Sequence, residues 1–117
     1  MRRTIALAHA RGLDRIYLAG LSNGGIGASR LAPRLRGLIH GLVLVSGAAP
    51  EAARGGVPAL VVHGARDAMC PTSQARGYAS RTGARFVALR GGHFGLLTHE
   101  DDYRRAITSF LVASAGR

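Results

Sequence analysis

The chain has 117 residues, 47% of them hydrophobic, and a formal net charge of +10. That length allows one domain, residues 1–117, with a core of its own, and the composition excludes an intrinsically disordered chain. No apolar run reaches the roughly 18 residues needed to cross a bilayer, and the single cysteine, Cys70, excludes an internal disulfide. The basic balance does not read as a nucleic-acid surface. All 16 basic residues are arginine, scattered from Arg2 to Arg117 with no aromatic-rich RNA motif. Ile5 to Ala8 is too short for a signal-peptide core. The chain therefore reads as cytoplasmic, with neither nucleic acid nor membrane as partner.

Thr4 to Arg11 reads as a short helix, with Ile5 and Ala8 on one side. Leu13-Asp14 turns into Arg15–Ala19, whose Ile16–Ala19 run is apolar on both faces, as in a strand of a covered parallel sheet. Gly20-Leu21-Ser22-Asn23-Gly24 follows, and then a helix from Asn23 to Leu31 that ends near Pro33. Gly41–Ser46 is a second buried strand, and Gly47–Gly56 is a loop rich in Gly and Ala. Ala59–His63 is a third strand, and Pro71 opens a helix to Thr82. Arg85–Leu89 is a fourth strand. The last helix runs from His99 to Ser114, with Glu100, Asp101 and Asp102 where the helix dipole favours acids. Ile107, Phe110 and Leu111 form its apolar stripe. This alternation predicts an α/β fold with a parallel sheet and right-handed crossovers.

Three residues just past predicted strands suit nucleophilic catalysis. Ser22 lies in a G-x-S-x-G turn between strand and helix, where Gly20 and Gly24 permit the sharp bend that exposes the hydroxyl. A serine needs a base to take its proton as it attacks. His93, in Gly91-Gly92-His93-Phe94, is of the right type. Asp67, in His63-Gly64-Ala65-Arg66-Asp67, would orient that histidine. The helix opening after Ser22 offers the Asn23 N–H to a developing oxyanion. Each residue alone has a plain alternative: a helix-capping serine, a turn aspartate, a solvated loop histidine. The order Ser, Asp, His, each after a strand, makes joint coincidence a poor explanation. His63 reads as a packed strand-end residue. His9, His40 and His99 lack partners at metal-ligand spacing, and no G-x-G-x-x-G or P-loop is present, so neither metal nor cofactor is expected.

Leu18-Ala19-Gly20-Leu21-Ser22-Asn23-Gly24-Gly25, then Pro58 to Pro71, then Gly91-Gly92-His93-Phe94 resemble the carboxyl-terminal half of an α/β-hydrolase. The resemblance covers essentially the whole chain. It implies a partial α/β-hydrolase fold: a mostly parallel sheet of about four strands with flanking helices. It implies Ser22 as nucleophile, Asp67 as triad acid and His93 as base, in a serine hydrolase that cleaves carboxylic esters or related acyl bonds of a small-molecule substrate. The alternatives are an acyltransferase with the same triad and a non-catalytic domain that associates through an open sheet edge. The family's amino-terminal strands, and the loop that gives a second oxyanion donor, have no counterpart here, so impaired activity is expected. The Ile16–Ala19 strand then lies at an exposed edge, which predicts self-association or pairing with the missing amino-terminal half.

Overall fold

Four short strands, β1 (Tyr17–Leu21), β2 (Gly41–Val45), β3 (Ala59–Gly64) and β4 (Arg85–Leu89), form one sheet in the order β1-β2-β3-β4. Every neighbouring pair is parallel. The computed structural model describes residues 1–116.

The two inner strands are apolar at successive positions because both faces of the sheet are covered. Successive side chains alternate between faces. Leu42, Leu44 and Val61 pack with Ile5 of helix α1 (Arg2–Ala10), Ala28 of α2 (Asn23–Leu31), and Ala75, Tyr78 and Ala79 of α3 (Thr72–Thr82). Val43, Val45, Leu60 and Val62 pack with Tyr103 and Phe110 of α5 (Glu100–Ala115) on the other face. Helix α3 ends at Gly83, whose φ of 80° is the left-handed cap that glycine adopts without strain.

At the amino-terminal end of the sheet, α5 is tied down by hydrogen bonds. The Tyr17 hydroxyl lies 2.6 Å from Ser114 Oγ, and His40 Nε2 donates to the Ser114 carbonyl at 2.8 Å. Tyr17 also meets Phe110 edge-to-face. The connection from β2 to β3 contains no helix. It is buried in part: Pro50, Glu51, Ala53 and Arg54 are exposed, and Ala48, Ala49 and Ala52 lie in the core. Their small side chains let the backbone lie against the helices. Its polar groups find partners, the Ala52 carbonyl on the Arg81 guanidinium at 2.6 Å and the Ala49 N–H on Ser29 Oγ at 2.9 Å.

The strand predicted to end at Ala19 continues to Leu21, because Gly20 and Leu21 pair with Leu44 and Val45. Pro33 lies in a separate 3-10 turn, Ala32–Leu35, that follows α2. A one-turn helix, α4 (Gly95–Thr98), carries the chain from the fourth strand into α5. Strand β1 has a neighbour on one side only.

Candidate active site

Ser22 is the residue between β1 and α2, and its backbone is forced. Its φ of 57° and ψ of −119° lie in a region that costs a non-glycine residue about 1–3 kcal/mol. The surrounding backbone holds it there. The Ser22 N–H donates to the Val45 carbonyl at 2.8 Å, and its carbonyl accepts from the Gly25 and Ile26 N–H groups at 2.9 and 3.1 Å. Such a sharp turn needs close backbone approach. A Cβ on Gly20 would overlap the Gly24 carbonyl, one on Gly25 the Gly47 carbonyl, and one on Gly47 the Ser22 carbonyl. A Cβ on Gly24 would meet nothing within 4 Å. The turn thus rests on Gly20, Gly25 and Gly47, and Gly24 is sterically free. The G-x-S-x-G spacing drew attention to Gly24. Nothing in the local sequence marks Gly47, which lies beyond the next strand.

The carboxyl ends of β3 and β4 bring the other two predicted residues to Ser22. Ser22 Oγ lies 2.8 Å from His93 Nε2, and His93 Nδ1 lies 2.8 Å from Asp67 Oδ2. A carboxylate only accepts, so the proton sits on Nδ1. Nε2 is then an acceptor, and the Ser22 hydroxyl donates to it. Gly91, at φ 101°, turns the chain back after β4 and lets His93 reach the elbow. The His93 side chain is 7% exposed, and Phe94 meets its ring edge-to-face.

The Asp67 side chain is fully buried. Oδ1 accepts from the Met69 and Cys70 N–H groups at 2.9 and 2.8 Å, an Asx-type turn that fixes the carboxylate. Burial pushes its pKa up, but the Cys70 N–H, the His93 ring and the Met69 N–H outweigh that and hold it below the usual aspartate value. Asn23 opens α2, so its N–H lacks an intrahelical acceptor and stands beside Ser22 at the positive end of the helix dipole.

Two residues near this relay were not singled out for it by the sequence. His63, expected to pack at the end of its strand, is 1% exposed and has Nε2 3.3 Å from Asp67 Oδ2. Its i,i+4 spacing to Asp67 was the available signal, but spacing alone cannot say that the chain turns back on itself. Tyr103 is fully buried, and its hydroxyl pKa is raised first by burial and then by the Asp67 charge. Among the described residues no group of three or more His, Cys, Asp or Glu side chains could hold a metal ion. No helix among them is long and apolar enough to cross a membrane.

The fold occurs in known structures. A predicted CIB-like hydrolase from Thermoplasma acidophilum superposes with a TM-score of 0.75 at 25% identity, over 90% of this chain and 54% of its own. The enol-lactonase from Burkholderia xenovorans LB400 matches with a TM-score of 0.75 at 18% identity, over 94% of this chain and 70% of its own. The type II thioesterase BorB from the borrelidin biosynthetic cluster matches with a TM-score of 0.69 at 21% identity, over 94% and 68%. No protein-family model and no curated protein sequence matches the chain. The fold is that of the α/β-hydrolases, and the four-stranded parallel sheet is a partial form of it. The chain spans about half the length of the T. acidophilum protein, 54%.

Proposed function

We propose that this chain is a serine hydrolase of the α/β-hydrolase type that acts on carboxylic esters or related acyl bonds. The observation that carries the reading is the continuous relay Ser22 Oγ, His93 Nε2, His93 Nδ1, Asp67 Oδ2, with both hydrogen bonds at 2.8 Å and the serine on a strained turn. Ser22 Oγ attacks the carbonyl carbon as its proton passes to His93 Nε2. The negative charge that forms on the carbonyl oxygen is met by the Asn23 N–H and the α2 dipole. Asp67 stabilises the imidazolium without taking its proton. The intermediate collapses, and His93 returns the proton to the departing alcohol, leaving an acyl group on Ser22. Water then attacks that ester, giving one proton to His93. Collapse of the second intermediate frees the acid and returns the proton to Ser22.

Esters and thioesters fit this chemistry, in keeping with a thermophilic esterase and a thioesterase among the structural neighbours. The same residues would serve an acyltransferase if an alcohol took the place of water. A second reading, a non-catalytic domain that self-associates, rests on the open edge of β1.

The test is reaction with a fluorophosphonate, with the adduct located by mass spectrometry. The purified chain should be modified at Ser22, and Ser22→Ala should lose the adduct while keeping its circular dichroism spectrum. A folded chain that takes no adduct, or equal modification of the variant, would defeat the nucleophile assignment. An adduct at Ser22 would exclude the non-catalytic reading.

A further inference from the structure

His63 is a buried imidazole that the acyl-transfer steps above do not use. It stands at the end of β3, 1% exposed, between the inner sheet and the loop that carries Asp67. Its Nε2 lies 2.7 Å from the Cys70 carbonyl and 3.3 Å from Asp67 Oδ2. A carbonyl only accepts, so Nε2 carries the ring proton. That N–H donates to the backbone oxygen that closes the 67–70 turn, and the ring edge lies against the carboxylate oxygen that receives His93. His63 Nδ1 has no hydrogen-bond partner. A buried polar atom without a partner is costly, and a leucine at the same place would avoid that cost. The imidazole is therefore placed for what its other nitrogen does.

We propose that His63 is a positioning residue for Asp67: it holds the 67–70 turn through the Cys70 carbonyl and packs its ring edge against the oxygen that receives His93. The inference rests on the proposed hydrolase reading for its kinetic consequence. Oδ1 is already held by the Met69 and Cys70 N–H groups. Oδ2 takes the His93 Nδ1–H. By gripping the Cys70 carbonyl the His63 N–H ties the turn to strand β3, and the buried ring closes the Oδ2 side against movement. His93 Nδ1–H then meets an oxygen fixed in position, and Nε2 stays aimed at Ser22. His63 touches neither Ser22 nor the space before it and acts through Asp67 alone.

The test is a double-mutant cycle on the intact chain, read by the rate of fluorophosphonate modification at Ser22 and by nitrogen-proton NMR of the histidine rings. His63→Leu removes the N–H, and His63→Gln restores one at similar reach. His63→Leu should slow modification on the order of tenfold, the size of one lost buried hydrogen bond. His63→Gln should come within about threefold of the parent, in line with a donor restored. In an Asp67→Asn background His63→Leu should add nothing further, since residues acting through one contact are not additive. In the spectrum, His63→Leu should move the His93 Nδ1 proton resonance, and His63→Gln should return it.

Unchanged modification by His63→Leu overturns the proposal. So does a loss that His63→Gln fails to restore, or one that persists in full in the Asp67→Asn background; both describe a residue that only supports folding. A parent that takes no adduct ends the hydrolase reading instead. The NMR result then decides the positioning role by itself: a His93 resonance indifferent to His63→Leu overturns it, and one that moves upholds it.

Discussion

Strand β3 and strand β1 carry opposite ends of the same relay, and they are built differently. β3 lies inside the sheet, with Leu60, Val61 and Val62 wholly buried, and it delivers Asp67 to a site closed to solvent. β1 lies at the edge, with no residue fully buried and Leu21 52% exposed, and it delivers Ser22. Asp67 is held by the core. Ser22 is held by backbone packing that crosses from β1 to α2 and to the loop after β2. A strained residue on an edge strand needs this, because one neighbouring strand cannot fix it alone. The two ends of the relay should therefore fail in different ways.

The largest expected effect follows from burial. Leu60→Ala on β3 should lower stability by about 2–5 kcal/mol, as a cavity in a core that cannot collapse. Leu21→Ala on β1 should stay within about 0.5 kcal/mol, because its side chain is 52% exposed and the turn beside it is held by backbone contacts. Urea unfolding of both variants measures the difference. Similar losses would mean that β1 is buried in solution, which is what an associated edge would produce, and the contrast between the strands would then belong to the free chain alone.

The next effect tests the elbow. Gly20→Ala puts a Cβ into the Gly24 carbonyl, and overpacking of this kind costs about 1–3 kcal/mol. Gly24→Ala, four residues away in the same motif, meets nothing within 4 Å. It should instead stabilise by about 0.5–1 kcal/mol, because alanine suits the first turn of α2 better than glycine. Thermal melts of the pair give opposite signs if close packing holds Ser22. A shared sign would locate the constraint in backbone flexibility.

Some of this was legible before any coordinates. The inner strands announce themselves as unbroken runs of Leu and Val, since both their faces are covered. The relay was legible because its three members follow three strands in order, which places them at one end of a parallel sheet. The edge strand lies two residues later than its apolar run suggests, at Tyr17–Leu21 in place of Arg15–Ala19, because Gly20 and Leu21 pair with Leu44 and Val45. Helix α4 went unseen because four residues carry no periodicity. Gly25 and Gly47 as partners in close packing, and His63 beside Asp67, depend on chain segments meeting in space. No local pattern encodes such a meeting. The loop at Gly47–Gly56 is legible as a loop, but the burial of Ala48, Ala49 and Ala52 depends on the arginine and serine that satisfy its backbone.

The smallest effect concerns the acid end and appears only as pH falls. The Asp67 carboxyl is held below its ordinary value: burial opposes this, and the Cys70 N–H, the His93 ring and the Met69 N–H prevail. A carboxylate whose pKa is lower folded than unfolded stabilises the fold above the unfolded value, near 4, and that contribution is lost as pH falls through the folded value. Stability should therefore be flat from neutral pH down to about 5 as far as this group is concerned, and then decline. Exposed Glu51, lowered mainly by its hydrogen bond to Arg30, adds to the same decline. Asp67→Asn should remove the Asp67 share, so its acid slope between about pH 4 and 2 should be shallower than the parent's, although it starts from lower stability at pH 7. Urea midpoints at a series of pH values measure both slopes. A parallel offset with equal slopes would mean that the N–H groups around Asp67 hold its shape without favouring its charge, and the contrast with the uncharged, strained Ser22 end would lose its electrostatic half.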